Sequence, residues 1–428
     1  MTENKYTLIA VELEFLSRWA MGGMSTDVFD IDLPVVRNPL TGEPWLPGAS
    51  VAGSLRAHLG GRAETWLGRS PEGFEETGRG NELERSRLAV LGCVLGECPG
   101  EPISNAGATA VDSRRGAAKG GSLRTYEWAA PRRVIVAFEQ EGEQDEALLD
   151  ALACWHPSLG RGRGTGLGQT RVLRVAALSV DLGDVAGLDF WLGDRRAWYA
   201  NPTAVAGCAW SERRGVEAGG GWRRVPLVVR EPLRVGTGKR VESGKPLPAL
   251  RRRADEFLVP GSSWKGVFRH RVEYILGALG CTGERAQGII DVLFGSQQLG
   301  RGMLWFGESA LRVRAPKKRT HIAIDRFTGG VRHGATYSTE SAPPGTELDF
   351  CWRWEDGEAP AAVANLVGHV LRDLHDGLAS VGGMGSRGYG WVEVREPGLF
   401  DGLRAVDVAE LAAALDNYHP TMEGDDNE

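Results

Sequence analysis

The stretch Leu46-Pro-Gly-Ala-Ser-Val-Ala-Gly-Ser-Leu-Arg56 returns in altered form as Val259-Pro-Gly-Ser-Ser-Trp-Lys-Gly-Val-Phe-Arg269, its Pro-Gly pair 213 residues further on. Two more blocks repeat around it in the same order. Gly22-Gly-Met and Asp30-Ile-Asp-Leu-Pro34-Val-Val-Arg37 precede the first copy, and Gly236-Thr-Gly and Pro246-Leu-Pro248-Ala-Leu-Arg251 precede the second. A glycine-rich run closes each copy, Leu159–Gly168 and Val381–Gly390, 222 residues apart. Blocks kept in order at near-constant spacing mark an internal duplication.

Each copy reads alike. An alternating run, Tyr6–Phe15 or Val225–Val235, predicts a half-buried strand. After Pro-Gly, a serine can cap a helix running through Arg56–Leu59 or Arg269–Leu276. Strands follow, then a second helix, Gln144–Cys154 or Ala361–Leu378. The glycine run leads into a closing strand, Thr170–Val175 or Tyr389–Val394. Strand, helix, strands, helix, strand is the ferredoxin-like order. The expected class is therefore α+β, with two tandem ferredoxin-like (RRM-like) domains carrying inserted loops. Residues 1–182 form the first domain and 222–396 the second. Residues 183–221, with Asn201-Pro and Gly219-Gly-Gly, read as a linker, and 397–428 as a short helix (Val406–Leu415) and an acidic tail.

The chain has 428 residues, 42% hydrophobic and 25% charged, which is enough for two cores and too apolar for a disordered chain. No apolar run is long enough to span a bilayer, and no secretory signal opens the sequence, so a cytoplasmic protein is expected. Six scattered cysteines do not make a disulfide framework. Cys93 and Cys98 are the one close pair and lack partners for a zinc site. The net charge of −6 argues against a nonspecific coat for nucleic acid. Positive charge is nevertheless almost all arginine, the residue that pairs with phosphate and stacks on bases.

Three features carry candidate chemistry. Pro-Gly-Ser ahead of a helix offers backbone N–H groups at a positive helix end, either a plain capped helix or an anion site. Ser50 with Arg56, and Ser262 and Ser263 with Lys265 and Arg269, are the candidates. The glycine runs could be tight turns, or could bring backbone and Arg161, Arg163 or Arg387 close to a polynucleotide. Their order, helix before and strand after, excludes a dinucleotide fingerprint. The basic segment Lys317–Gly334, with Arg319, Arg326, Phe327 and Arg332, suits a hairpin laid along phosphates with an apolar wedge at its tip. Asp112–Arg124, with Arg115 and Lys119, is its counterpart in the first copy.

These blocks, together with Ile324–Arg332 and Glu340-Ser-Ala-Pro-Pro-Gly-Thr346, resemble the RAMP superfamily of CRISPR-associated RNA-binding proteins. The order of blocks resembles a tandem fusion of two backbone subunits of a type III effector complex. The resemblance implies thumb-like hairpins and three kinds of partner: a guide (crRNA), a complementary target RNA and other subunits of the complex, with no membrane. It places Asp32, two residues before Pro34, where the family carries its target-cleaving aspartate. Asp30 is a second candidate, and Mg2+ or another divalent cation held by Asp32 is the implied cofactor. Pro246 takes the place of that aspartate in the second copy. Alternative readings are a scaffold that binds RNA without cutting, a guide-maturing endonuclease using His58 or His156, and a metabolite binder.

Overall fold

The structure is a computed structural model. It describes residues 4–23, 31–69, 85–96, 98, 101–112, 117–205, 208–211, 221–238, 247–253, 256–313 and 317–418, the backbone alone for 251–253 and 312. Asp30, Arg115, Pro246 and the acidic tail lie outside the described residues.

The first half begins with β1 (Lys5–Phe15), α1 (Gly48–Leu59) and β2 (Leu88–Leu95). A hairpin of β3 (Ile103–Ala108) and β4 (Arg124–Ala129) comes next, then β5 (Arg133–Glu141), α2 (Glu146–Ala153) and β6 (Thr170–Asp181). Its main sheet is antiparallel in the order β2-β5-β1-β6. Two helices follow, α3 (Val185–Gly193) and α4 (Arg195–Ala200).

The second half repeats the plan. It runs β7 (Arg223–Val229), α5 (Gly261–Ala278), α6 (Gly283–Phe294) and β8 (Leu304–Phe306). Then come a hairpin of β9 (Lys317–His321) and β10 (Tyr337–Ser341), β11 (Glu347–Trp354), α7 (Ala361–His375), β12 (Val392–Val394) and α8 (Val408–Leu415). Its main sheet is antiparallel in the order β8-β11-β7-β12. In both halves the first strand therefore lies between the third and the fourth. The backbone repeats in detail. Gly168 N–H bonds the Arg18 carbonyl as Gly390 N–H bonds that of Pro232, and Arg161 N–H bonds Ala20 as Gly383 N–H bonds Arg234.

Four expectations need correction. The β1 run is half-buried in the sequence reading, yet β1 is buried on both faces. Ile9, Val11 and Leu13 pack under α1 and α2. Leu8 and Ala10 pack on the opposite face, against Trp198 and Tyr199. That opposite cover comes from residues 183–221, read as a linker. Their helices α3 and α4 bring apolar side chains to the sheet, and Tyr199 Oη donates to the Phe138 carbonyl (2.8 Å). The C-terminal helix α8 belongs to the second core, where Leu411 and Leu415 are buried. Finally, the residues flanking the N-termini of α1 and α5 are Pro47 and Pro260, with no side-chain cap bond, so the serines sit inside the first turn.

The halves meet at a dry joint. Arg18 Nε donates to Glu308 Oε1 (2.7 Å), its backbone N–H donates to Oε2 (3.2 Å), and both side chains are 1% exposed. Arg18 also stacks on Trp128, 4.5 Å from the ring centre. Beside this pair the first glycine run touches α5. A Cβ on Gly261 would fall 2.2 Å from the Thr165 carbonyl, and one on Gly166 would fall 2.7 Å from Glu308 N. Glycine is required at both places, because two backbones approach within contact distance. Gly107 N–H donates to the Thr237 carbonyl (2.8 Å), which ties the first hairpin to the second half.

Truncating one partner of a buried ion pair strands the other charge. Glu308→Ala is expected to lower unfolding stability by about 3 kcal/mol. The double variant Arg18→Met, Glu308→Leu is expected to recover most of that loss, measured by thermal and denaturant unfolding.

Candidate nucleic-acid interface

Asp32 lies on an exposed loop beside the β3–β4 hairpin, next to the loop end of its ladder. Its Oδ2 accepts from Thr125 N–H (2.7 Å) and from Thr125 Oγ1 (3.0 Å), and its own N–H donates to Thr125 Oγ1 (3.1 Å). The Thr125 amide first, then the Thr125 hydroxyl, hold the carboxyl below its ordinary range, and nearby Arg124 adds to the effect. A carboxylate that accepts two such bonds stays ionised at neutral pH.

Three contacts fix this loop. Leu33 pairs with Tyr126 in parallel, Glu127 Oε2 accepts from Val35 N–H (3.0 Å), and Glu127 Oε1 accepts from Arg37 (2.7 Å). Arg161, a predicted RNA contact, instead braces the loop from below. Its guanidinium donates to the carbonyls of Leu33, Pro34 (3.0 Å) and Glu127 (3.0 Å). Thr125, Glu127 and Arg161 therefore position Asp32. The sequence reading missed the first two, although both sit in the strand next to the aspartate loop.

The helix-end residues divide. Ser50 and Ser262 are exposed, and Ser263 is half-buried. Arg56 donates to the carbonyls of Leu67 (2.8 Å) and Gly68 (3.0 Å), which closes the turn after the helix instead of facing a phosphate. Arg269 pairs with Glu273 (3.2 Å) and donates to the Gly295 carbonyl (3.3 Å). At the start of α5 the Thr165 carbonyl lies against Gly261, where an added Cβ would fall 2.2 Å from it. Lys265 is half-buried, and burial, with Arg269 close by, pushes its ammonium down to about 8. Arg163 is half-buried at the joint, where the neighbouring Gly164 faces Arg301 and Trp305. The glycine run of the first half is thus packing machinery, whereas Arg387 in the second run is exposed.

The β9–β10 hairpin is the most open basic element. Lys317, Lys318, Arg319, Arg326 and Arg332 are exposed along it. Its tip is ordered, since Asp325 Oδ1 accepts from the N–H groups of Phe327 (2.9 Å) and Thr328 (2.9 Å). This turn holds Phe327 out at 91% exposure, with Ile322, Ile324 and Val331 also exposed. An ordered turn that exposes a phenylalanine between arginines is the geometry of a wedge into a base stack. In the first half Lys119 is exposed near the tip of the shorter hairpin.

A divalent cation finds one described ligand. Among the described residues no group of three or more His, Cys, Asp or Glu could hold a metal ion. Asp32 can offer one ionised oxygen to a hydrated ion, with water completing the shell.

Residues 227–393 match the family model of the RAMP superfamily. The match covers most of the second half and less than half of the chain. It supports a CRISPR-associated protein. No curated protein matches the chain. No helix among the described residues is long and apolar enough to cross a membrane.

Thr125→Val removes the hydroxyl donor to Asp32 and leaves the amide. The Asp32 carboxyl is expected to titrate at higher pH in this variant, followed by carboxyl carbon NMR. Lys265→Met removes a desolvated charge. Because the ammonium titrates lower in the folded chain than in the unfolded one, wild-type stability should rise as pH climbs past about 8. The variant is expected to lose that rise in thermal unfolding.

Proposed function

We propose that the chain is a guide-RNA-binding backbone subunit of a type III CRISPR effector complex, acting in the cytoplasm. On this reading both halves are ferredoxin-like RAMP domains in tandem, and the first half cleaves target RNA. The partners are a crRNA, a complementary target RNA and neighbouring subunits of the complex. The observation that carries the reading is Asp32: exposed, held ionised by Thr125, and set on a loop braced by Arg161 beside a hairpin.

The chemistry asks little of the protein. RNA carries its own nucleophile. When a base is pushed out of the stack, the 2′-oxygen lines up with the adjacent phosphorus. It attacks there, and the bond to the 5′-oxygen breaks. The 2′-hydroxyl proton passes to Asp32, and the leaving oxygen takes a proton from water. Alternatively, Asp32 would hold a magnesium ion, which would neutralise charge building on the phosphate in place of that proton transfer to Asp32. The exposed hairpins, with Phe327 at the tip of the second, suit the task of splaying bases.

A scaffold that binds without cutting is favoured by one observation: among the described residues no group of three or more His, Cys, Asp or Glu could hold a metal ion. The two readings part on a single variant. Asp32→Ala in the assembled complex is expected to reduce cleavage at the cut facing this chain by about a hundredfold, with target affinity unchanged. Intact cutting in that variant leaves the scaffold reading. RNA affinity of the purified chain is expected to fall steeply with salt.

A further inference from the structure

We propose that the second half carries, where the first half has its Asp32 site, a proton-linked phosphodiester site formed by His321, Tyr337, Tyr389, Arg319 and Arg387. The proposal rests on the RNA-binding reading and deepens it. This site grips a backbone phosphate of an RNA strand and takes up a proton as it does so.

Backbone bonds establish the equivalence. Leu33 N–H donates to the Thr125 carbonyl as Leu247 N–H donates to that of Ser338, and Glu127 N–H donates to Leu33 as Glu340 N–H donates to Leu247. Ser338 therefore stands in the place of Thr125, the anchor of the aspartate. Tyr337, next to it, pairs with His321 as Arg124 pairs with Ala108. Along the glycine run Arg387 and Tyr389 stand where the first half has Thr165 and Leu167. Residues without charge at three of these places have become a histidine, an arginine and a tyrosine.

The new side chains form one cluster. His321 stacks on Tyr337, ring centres 4.9 Å apart and 19° from parallel. Its Nε2 lies 3.1 Å from Thr339 Oγ1 and 3.3 Å from Tyr389 Oη. Thr339 and Tyr389 are buried and hold that edge of the ring. Arg387 bonds the Tyr337 hydroxyl, and Arg319 lies over the Tyr389 ring at 5.7 Å. Arg234 approaches from the segment after β7. Its charge is partly answered by Glu340, which also accepts from Ala249 N–H (3.4 Å). Neither Arg319 nor Arg387 is in an ion pair among the described residues, and both are exposed. Two unneutralised guanidinium groups beside aromatic faces and a histidine constitute an anion site that suits a phosphate flanked by a base.

Proton linkage follows from charge. Desolvation first, then Arg387, Arg319 and Arg234, hold His321 below its ordinary range, so the ring is neutral in the free chain near neutral pH. A phosphate seated between the arginines cancels that repulsion and favours the imidazolium. Bound RNA therefore raises the histidine's proton affinity, and lower pH raises RNA affinity by the same linkage.

The test uses the full chain and a labelled single-stranded RNA, with affinity read by anisotropy at fixed ionic strength. Wild type is expected to bind about fivefold tighter near pH 6 than near pH 8. His321→Gln keeps a hydrogen bond to Thr339 and cannot titrate. It is expected to abolish the ratio. Arg387→Ala is expected to weaken binding at both. A flat wild-type profile, or a ratio that survives His321→Gln, overturns the proposal and leaves the RNA reading standing if binding is still salt-sensitive. Absence of salt-sensitive binding at either pH removes both.

Discussion

The buried pair of Arg18 and Glu308 governs the rest of the molecule, because it decides how the two halves face each other. An arginine and a glutamate at 1% exposure are costly to desolvate. They are tolerated because the guanidinium is matched by a carboxylate that also takes the Arg18 amide, and because Trp128 covers one face. Such a pair tolerates little displacement, so it sets a register that apolar packing alone would leave loose. The glycine run and the start of α5 close around it, with the Thr165 carbonyl against Gly261.

The same joint explains why matching motifs serve different ends. In the first half the run Leu159–Gly168 is consumed in contact. Arg161 ties down the aspartate loop, and Gly164 and Gly166 lie against the second half. In the second half nothing among the described residues lies on Arg387 as α5 lies on Thr165, and the arginine stays exposed. Pro232 replaces Arg18 at the equivalent place, so the second half does not carry the charge that makes the internal joint. The two halves share backbone hydrogen bonds at matching places, and burial sets what each side chain meets.

Much of the plan was legible in the residues. The repeat offsets located both helices that follow Pro-Gly and both glycine turns, because a tight turn and a helix start depend on local backbone chemistry. The aspartate loop was found the same way. Arg56, Arg269 and Arg161 bond carbonyls or carboxylates of their own chain, and the sequence does not encode this, since an arginine facing a phosphate and one facing a carbonyl of its own chain are the same letter. Thr125, Glu127, Tyr337 and Tyr389 were overlooked because their partners are distant along the chain. Applying the repeat offset to the hairpin strands would have aligned Ser338 with Thr125 and drawn attention to His321.

Residue order alone determined a duplicated α+β chain with glycine turns, a basic hairpin and one copy bearing an acid before Leu33-Pro34. Those features rest on periodicity and turn chemistry, which act over a few residues. Tertiary structure decided which cations are free. It put Arg18 against Glu308, covered the outer face of the first sheet with α3 and α4, and left Phe327 and Arg387 in the open. Whether a charge meets water or a partner depends on residues hundreds of positions away, and no short-range pattern encodes that.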